Sequence, residues 1–541
     1  MRTDRPWRVR AAALTAASVV LTLTAGTAGV VAGPARAHGA GHSHGPVVPT
    51  HSGLVRGERV GGGFAFKGLP YAAPPTGRLR WRAPRPAVPW HGVRDATTFA
   101  PSCLQKPNLF EPPGPQSEDC LYLNVSTPTL RPHARRPVVV WIHGGGNTQD
   151  GARNYDGTDL AAKGVVVVTI NYRLDVFGFL AHPALASRPG GPAGNYGLMD
   201  QQAALRWVRH NIAAFGGNPH NVTIDGQSSG GLSVLAHLVS RGSRGLFQRA
   251  IVQSGAFALR QQPLADAEAF GTTYAAGVGC PGRSARTAFC LRHRPADTLV
   301  DAFPGAAIPG VVDGRVLRES VGTALAAGRF ARVPVINGMN HDEELIFVAG
   351  LGVAVSGGTF VAAPTPTPDT YESVISDVLA VSADRASEIA AEYPLVAFPA
   401  PVLALSTLLA DANFACPALQ VDRWTSRHVP TFAYQFDDDT APPLFAGPTF
   451  PPIATHSSEI QYLFDQPNAP FPATLDTTQE ALASTMRTAW ARFAAHGNPG
   501  TGAVPWPRFR TSANVLSFVS PQPHPAPAFA ATHHCSFWAA G

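Results

Sequence analysis

Short, almost wholly apolar runs recur along the chain and are separated by longer stretches of mixed character. Pro137-Val138-Val139-Val140-Trp141-Ile142, Val222-Thr223-Ile224, Pro334-Val335-Ile336-Asn337 and Thr431-Phe432-Ala433-Tyr434-Gln435-Phe436 are runs of this kind. A run apolar on both faces predicts a strand covered on both sides, as in a mostly parallel sheet flanked by helices. Gly231-Leu232-Ser233-Val234-Leu235-Ala236 reads as a helix after the second run. Thr367-Pro368-Asp369 predicts another helix start, with proline at the first helical position, and Val374, Ile375, Val378 and Leu379 then recur at helical spacing. Those four side chains fit core packing, and they also fit a flank of a substrate gorge. The Pro- and Gly-rich stretches 362–368 and 441–452 read as loops. No repeat and no linker-bounded second domain is visible, and the pattern as a whole predicts an α/β fold.

The residues with chemical potential follow the strands. Gly226-Gln227-Ser228-Ser229-Gly230 joins one run to the helix behind it, the context of a nucleophile elbow in which a serine sits on a strained turn between small neighbours. His143-Gly144-Gly145-Gly146 follows an earlier strand and offers a bare backbone whose N–H groups suit an oxyanion. Gly145, Gly146 and Ser229 are the expected donors, and His143 reads as a buttress of the loop. Asn340-His341-Asp342-Glu343-Glu344 follows a third strand, and His456 lies past a fourth. Serine, acid and histidine thus occur in the order this fold uses, each beyond the carboxyl end of a strand. On these residues alone Asp342, Glu343 and Glu344 all remain candidates for the acid.

Further motifs widen the picture: Phe66-Lys67-Gly68-Leu69-Pro70-Tyr71-Ala72, Ser117-Glu118-Asp119-Cys120-Leu121-Tyr122-Leu123-Asn124, Asn171-Tyr172-Arg173-Leu174, Gly194-Asn195-Tyr196-Gly197-Leu198-Met199-Asp200-Gln201 and Phe215-Gly216-Gly217-Asn218-Pro219. With these the chain resembles the type-B carboxylesterases, the family that includes the cholinesterases, from about Gly53 to Trp538. The resemblance implies an α/β-hydrolase fold with long helical and loop insertions around an active-site gorge. It implies Ser228 as nucleophile, His456 as base and Glu343 as the acid, with Glu344 standing where relatives usually carry glycine. It pairs Cys103 with Cys120, Cys280 with Cys290 and Cys416 with Cys535. It also implies a structural salt bridge between Arg80 and Glu118, and a buried supporting serine at Ser254, which a plain polar core residue would match equally well. Five further departures stand out: Gln227 for a glutamate, Ser229 for an alanine, Asn147 for an aromatic, and Asp175 and Ser457 for glycines. Neutral Gln227 and the lack of tryptophan between Cys103 and Cys120 argue against choline esters.

Composition fits a single large folded unit: 541 residues, 45% hydrophobic and 14% charged, exclude global disorder. The net charge of +6 comes from scattered arginines, with no basic cluster interleaved with aromatics, so nucleic-acid binding is not implied. Arg2, Arg5, Arg8 and Arg10, the apolar stretch 11–31 and Ala35-Arg36-Ala37 predict a signal peptide over residues 1–37, cleaved after Ala37. Residues 38–50, with His38, His42 and His44, then form a flexible segment, and 51–541 the catalytic domain. Six cysteines in an exported chain favour disulfides. No later run reads as a membrane span, and no membrane anchor, metal, organic cofactor or obligate protein partner is implied. The expectation is a secreted bacterial serine carboxylesterase acting on small, uncharged esters, with two rivals: a lipase for longer acyl chains, and a non-catalytic cholinesterase-like binding protein.

Overall fold

The computed structural model describes residues 45–108, 114–186, 193–304, 310–443, 453–467 and 474–540. The expected signal peptide and His38, His42 and His44 lie outside the described residues, as does most of the 441–452 loop. Folded structure begins earlier than the sequence suggests. Val47–Thr50 is a strand paired with Gly53–Arg56, and Val48 is buried in the main core, so residues 47–50 of the expected flexible segment belong to the folded domain.

Eleven strands among the described residues form the main sheet. In chain order they are β1 (Glu58–Val60), β2 (Gly63–Pro70), β3 (Tyr122–Thr127), β4 (Arg136–Ile142), β5 (Val166–Ile170), β6 (Gly217–Gln227), β7 (Arg249–Gln253), β8 (Val335–Asn340), β9 (Thr431–Phe436), β10 (Leu516–Phe518) and β11 (His524–Pro525). Their spatial order is β11-β10-β9-β8-β7-β6-β4-β5-β3-β2-β1. The seven from β5 through β4 to β10 run parallel, and antiparallel strands close both edges. The four apolar runs are β4, β6, β8 and β9, all within the parallel part of the sheet, where both faces are covered. Val138, Val140, Ile224 and Val252 pack into one core, while Val139, Trp141, Ile251, Ile336 and Phe432 pack into the other on the opposite face.

Helix α1 (Tyr196–Asn211) and helix α2 (Ser229–Val239) cover the first face. Helix α3 (Thr477–His496) covers the second, started by Asp476 and Gln479 capping each other's backbone. The helix expected from Thr367 starts later, at Tyr371, because Thr367 and Thr370 first close a turn: the Thr370 N–H donates to Thr367 O at 3.1 Å, and the Thr367 N–H donates to Thr370 Oγ1 at 2.8 Å. Its Val374, Ile375 and Val378 are core residues of a separate cluster, with Leu379 packed at the edge. The helical run Pro401–Ser426 is long and apolar enough to cross a membrane, contrary to the reading of the sequence, and 61% of its apolar window is buried inside the protein.

Three disulfides join Cys103 to Cys120, Cys280 to Cys290 and Cys416 to Cys535, the pairs the resemblance implies. Arg80 spans the first two. Its Nε donates to Glu118 Oε2 at 2.7 Å beside one bridge, and its Nη1 donates to Arg294 O at 2.8 Å beside the other.

Candidate active site

Strand β6 ends at Gln227 and α2 begins at Ser229, which leaves Ser228 alone at the corner with φ 57° and ψ −127°. A non-glycine residue held there stores on the order of 1–3 kcal/mol of backbone strain. The corner is held by the Ser228 N–H donating to Gln253 O at 2.8 Å and by the Leu232 N–H donating to Ser228 O at 2.9 Å. Its neighbours must be small. A Cβ on Gly230 would lie 2.0 Å from Ile142 O, and one on Gly226 would lie 2.6 Å from the backbone of Gly230. The packing of β4 against the start of α2 is therefore what the glycines permit, and it sets Ser228 next to the loop that leaves β4.

That loop turns through Gly145 (φ 82°) and Gly146 (φ 64°). Both line a cavity shared with Gln227, Ser228 and His456, and the N-terminal N–H groups of α2 begin beside them. The Ser229 hydroxyl accepts from the Asn147 N–H at 3.0 Å, and Asn147 O accepts from the Asp175 N–H at 2.7 Å. Ser229, Asn147 and Asp175 thus join the elbow, the glycine loop and the segment after β5. Asn147 (φ 60°), Asp175 (φ 51°) and Ser457 (φ 71°) all occupy the left-handed region. This explains why glycine is usual at the last two positions, and why short polar side chains are the tolerated replacements. Burial pushes the Asp175 carboxyl up to about 7, against the pull of Lys106.

His143 stacks on Tyr172 with ring centroids 4.4 Å apart, and its carbonyl accepts from the Tyr172 hydroxyl at 2.7 Å. Burial lowers its pKa, so a neutral ring supports the glycine loop from behind.

The acid and histidine loops are stitched together past the ends of β8 and β9. The Asp342 N–H donates to Ala454 O at 2.9 Å, Asn340 Nδ2 donates to Thr455 O at 2.8 Å and to Glu459 Oε2 at 2.6 Å, and the Ile346 N–H donates to Thr455 Oγ1 at 3.2 Å. Glu343 is fully buried. One carboxylate oxygen accepts from the Asn340 N–H at 2.8 Å, and the other is hydrogen-bonded to His456 Nδ1. With the proton on Nδ1, His456 Nε2 accepts from the Gln227 side-chain amide at 3.2 Å, at the wall of the cavity that Ser228 also lines. The faces of the imidazole are packed by Phe347 and Phe414.

The other two candidate acids point elsewhere. Asp342 Oδ2 lies 3.1 Å from His341 Nδ1, at a half-exposed position. Glu344 accepts from the Val355 N–H and from Asn413 Nδ2, and burial pushes its carboxyl up to about 8. Ser254 is buried with φ 51°, its N–H donating to Gly338 O at 2.8 Å, and its hydroxyl has no partner among the described residues.

Reading the sequence missed the walls of the cavity. Gln149, Asp150, Asn154 and Gln466 form a polar side, while Ile346, Phe347, Leu351 and Phe360 form an apolar one. Asp150 (φ 83°) organises the polar side by accepting from the Gly151 N–H at 2.6 Å, Asn154 Nδ2 at 2.8 Å and the Tyr155 hydroxyl at 2.5 Å. No motif marks either wall: the polar side gathers residues from separate loops, and the apolar side comes from the stretch 346–360, which carries no recognised pattern. Among the described residues no cluster of His, Cys, Asp and Glu has the makings of a metal site.

A parallel-centred sheet with a strained serine at one strand end, and a histidine and carboxylate at two others, defines an α/β-hydrolase. The chain belongs to the carboxylesterase family, whose model matches residues 44–538, and it is a carboxylic ester hydrolase. It is 35% identical over 494 residues to an acylcarnitine hydrolase of Mus musculus, covering 85% of each chain. It is 36% identical over 511 residues to a cocaine esterase of Oryctolagus cuniculus, covering 87% of this chain and 91% of that one. It is also 34% identical over 490 residues to a fumonisin B1 esterase of Sphingopyxis macrogoltabida, covering 87% and 86%.

Proposed function

We propose that this esterase hydrolyses uncharged carboxylic esters through an acyl-enzyme on Ser228, with His456 as general base and acid, Glu343 as the orienting carboxylate, and the N–H groups of Gly145, Gly146 and Ser229 as the oxyanion hole. The observation that carries the reading is the single cavity holding Ser228, His456 and the glycine loop, with Glu343 hydrogen-bonded behind the histidine. Ser228 Oγ attacks the ester carbonyl as its proton passes to His456 Nε2. The imidazolium that forms is stabilised by Glu343, and the three N–H groups stabilise the oxyanion, each by about 3 kcal/mol. His456 then protonates the departing alcohol, and a water deprotonated by the same nitrogen releases the acid and regenerates Ser228.

A neutral Gln227 beside the nucleophile and the absence of tryptophan from the 103–120 loop support uncharged over cationic esters. The apolar wall of Phe347, Phe360 and Leu351 favours, as a second reading, lipase-like action on longer acyl chains. The three disulfides and the apolar leader support export with cleavage after Ala37. Nitrophenyl esters from acetyl to palmitoyl test the reading. A maximum at short chains supports the carboxylesterase, a maximum at the long end the lipase. Ser228→Ala lowers turnover by on the order of 10⁴-fold or more. Turnover near normal in that variant contradicts the assignment.

A further inference from the structure

Glu344 is fully buried one residue beyond Glu343, yet nothing in the proposed chemistry uses it. Its surroundings give it a different task. The chain after it forms the helical turn Ile346–Leu351 and then a two-stranded hairpin, Val353–Ser356 with Thr359–Ala362, reversed by Gly357 (φ 57°) and Gly358 (φ 85°). The turn contributes Ile346, Phe347 and Leu351 to the cavity and the hairpin contributes Phe360, so one short segment builds most of the apolar wall. Phe347 touches both Phe360 (5.3 Å between centroids) and the His456 ring (4.9 Å).

A two-stranded hairpin is marginal on its own, and its outer edge leaves backbone groups unpaired. Here Glu344 and Asn413 satisfy that edge together. The Val355 N–H lies 3.3 Å from both carboxyl oxygens of Glu344, Asn413 Nδ2 donates to Val355 O at 2.6 Å, and the same amide lies 3.1 Å from Glu344 Oε1. Glu344, Asn413 and the backbone of Val355 thus close a ring that ties the hairpin to the acid loop on one side and to the long Pro401–Ser426 helical run on the other.

We propose that Glu344 is a positioning residue whose ring with Asn413 and Val355 holds the apolar wall in place, and that this clamp gives the enzyme its affinity for esters carrying an extended apolar chain. The proposal rests on the reading of the cavity as the site of ester hydrolysis. A glycine at this position has no carboxyl for Val355 or Asn413, so the clamp belongs to chains that carry an acid or amide here. A fixed apolar wall lowers the ordering cost of binding a long chain and does little for an acetyl group too short to reach it.

The test compares wild type with Glu344→Ala, Glu344→Gln and Asn413→Ala on two series, nitrophenyl esters of acetic to decanoic acid and alkyl acetates from ethyl to octyl. The amide of Gln keeps an acceptor for Val355, so Glu344→Gln retains wild-type constants to within about twofold. Glu344→Ala raises KM for the long members of at least one series by roughly fivefold or more, while kcat and the acetyl or ethyl constants stay within about twofold. Asn413→Ala does the same from a different element, and combining it with Glu344→Ala adds little, as expected of one shared ring. If Glu344→Ala does not fold, Asn413→Ala against Glu344→Gln carries the comparison. Equal constants across both series in the alanine variants, or a uniform loss on short and long esters alike, overturn the clamp. Loss of all turnover in Glu344→Gln, with Glu343→Gln still active, would instead reassign the catalytic acid.

Discussion

Two adjacent buried glutamates do opposite things because their side chains leave the loop in different directions. Glu343 points to His456 and takes the Asn340 N–H, whereas Glu344 turns to Val355 and Asn413. Glu343→Gln keeps the shape but removes the charge that stabilises imidazolium. Turnover should fall by roughly 10²–10⁴-fold with a modest change in KM, while Asp342→Asn, at a half-exposed side chain beside His341, costs far less. Steady-state kinetics of the two variants checks this, and comparable losses in both would remove Glu343 from its role. The sequence narrows the candidate acid to three consecutive residues, and only the family pattern chooses among them. What separates them is side-chain direction past the end of β8, which no local pattern encodes. The departures at Asn147, Asp175 and Ser457 were visible as odd residues, but their shared left-handed backbone and the chain of contacts through Ser229 emerge only from the fold.

At the level of elements, the apolar runs that became β4, β8 and β9 were legible because burial on both faces demands continuous hydrophobicity. The Val353–Ala362 hairpin passed unread although Gly357-Gly358 is a good two-residue turn, since its strands are short and only weakly alternating. The helix start at Thr367 was misplaced because a threonine turn satisfies the backbone before the helix begins. The C-terminal segment was readable only through its cysteine. Cys416–Cys535 bridges a sequence separation of 119 residues, beside a buried pair in which His533 Nδ1 meets Asp411 Oδ1 at 2.5 Å. Replacing both cysteines by serine should lower unfolding stability by about 2–5 kcal/mol, measured by denaturant titration. Peptide mapping without reduction should find the two cysteine peptides joined, and free thiols at both positions in the folded protein would contradict the bridge.

At the scale of the whole molecule, several acids among the described residues are buried around the ends of the central strands. Burial raises the carboxyls of Asp225, Glu344 and Glu459 to about 8, so the folded protein holds protons there that the unfolded chain releases near its ordinary 3.8 or 4.5. Each therefore makes stability decline as pH rises through that window. Buried His237, lowered to about 3, acts on the other side, because its neutral form is favoured and stability is lost as pH falls below 6.5. Between pH 6.5 and 8 the carboxyls act without that opposition, and Tm should fall. Asp225→Asn should flatten the decline by up to about 1.4 kcal/mol per pH unit, and a Tm that rises over this range in wild type would contradict the buried neutral acids. The proposed catalytic set is tested most directly on the intact enzyme with a serine-directed phosphonate, followed by mass mapping and residual ester hydrolysis. One label per chain is expected, on Ser228 alone, with activity lost in proportion to labelling. A label on any other residue, or full hydrolysis after Ser228 is modified, would contradict it.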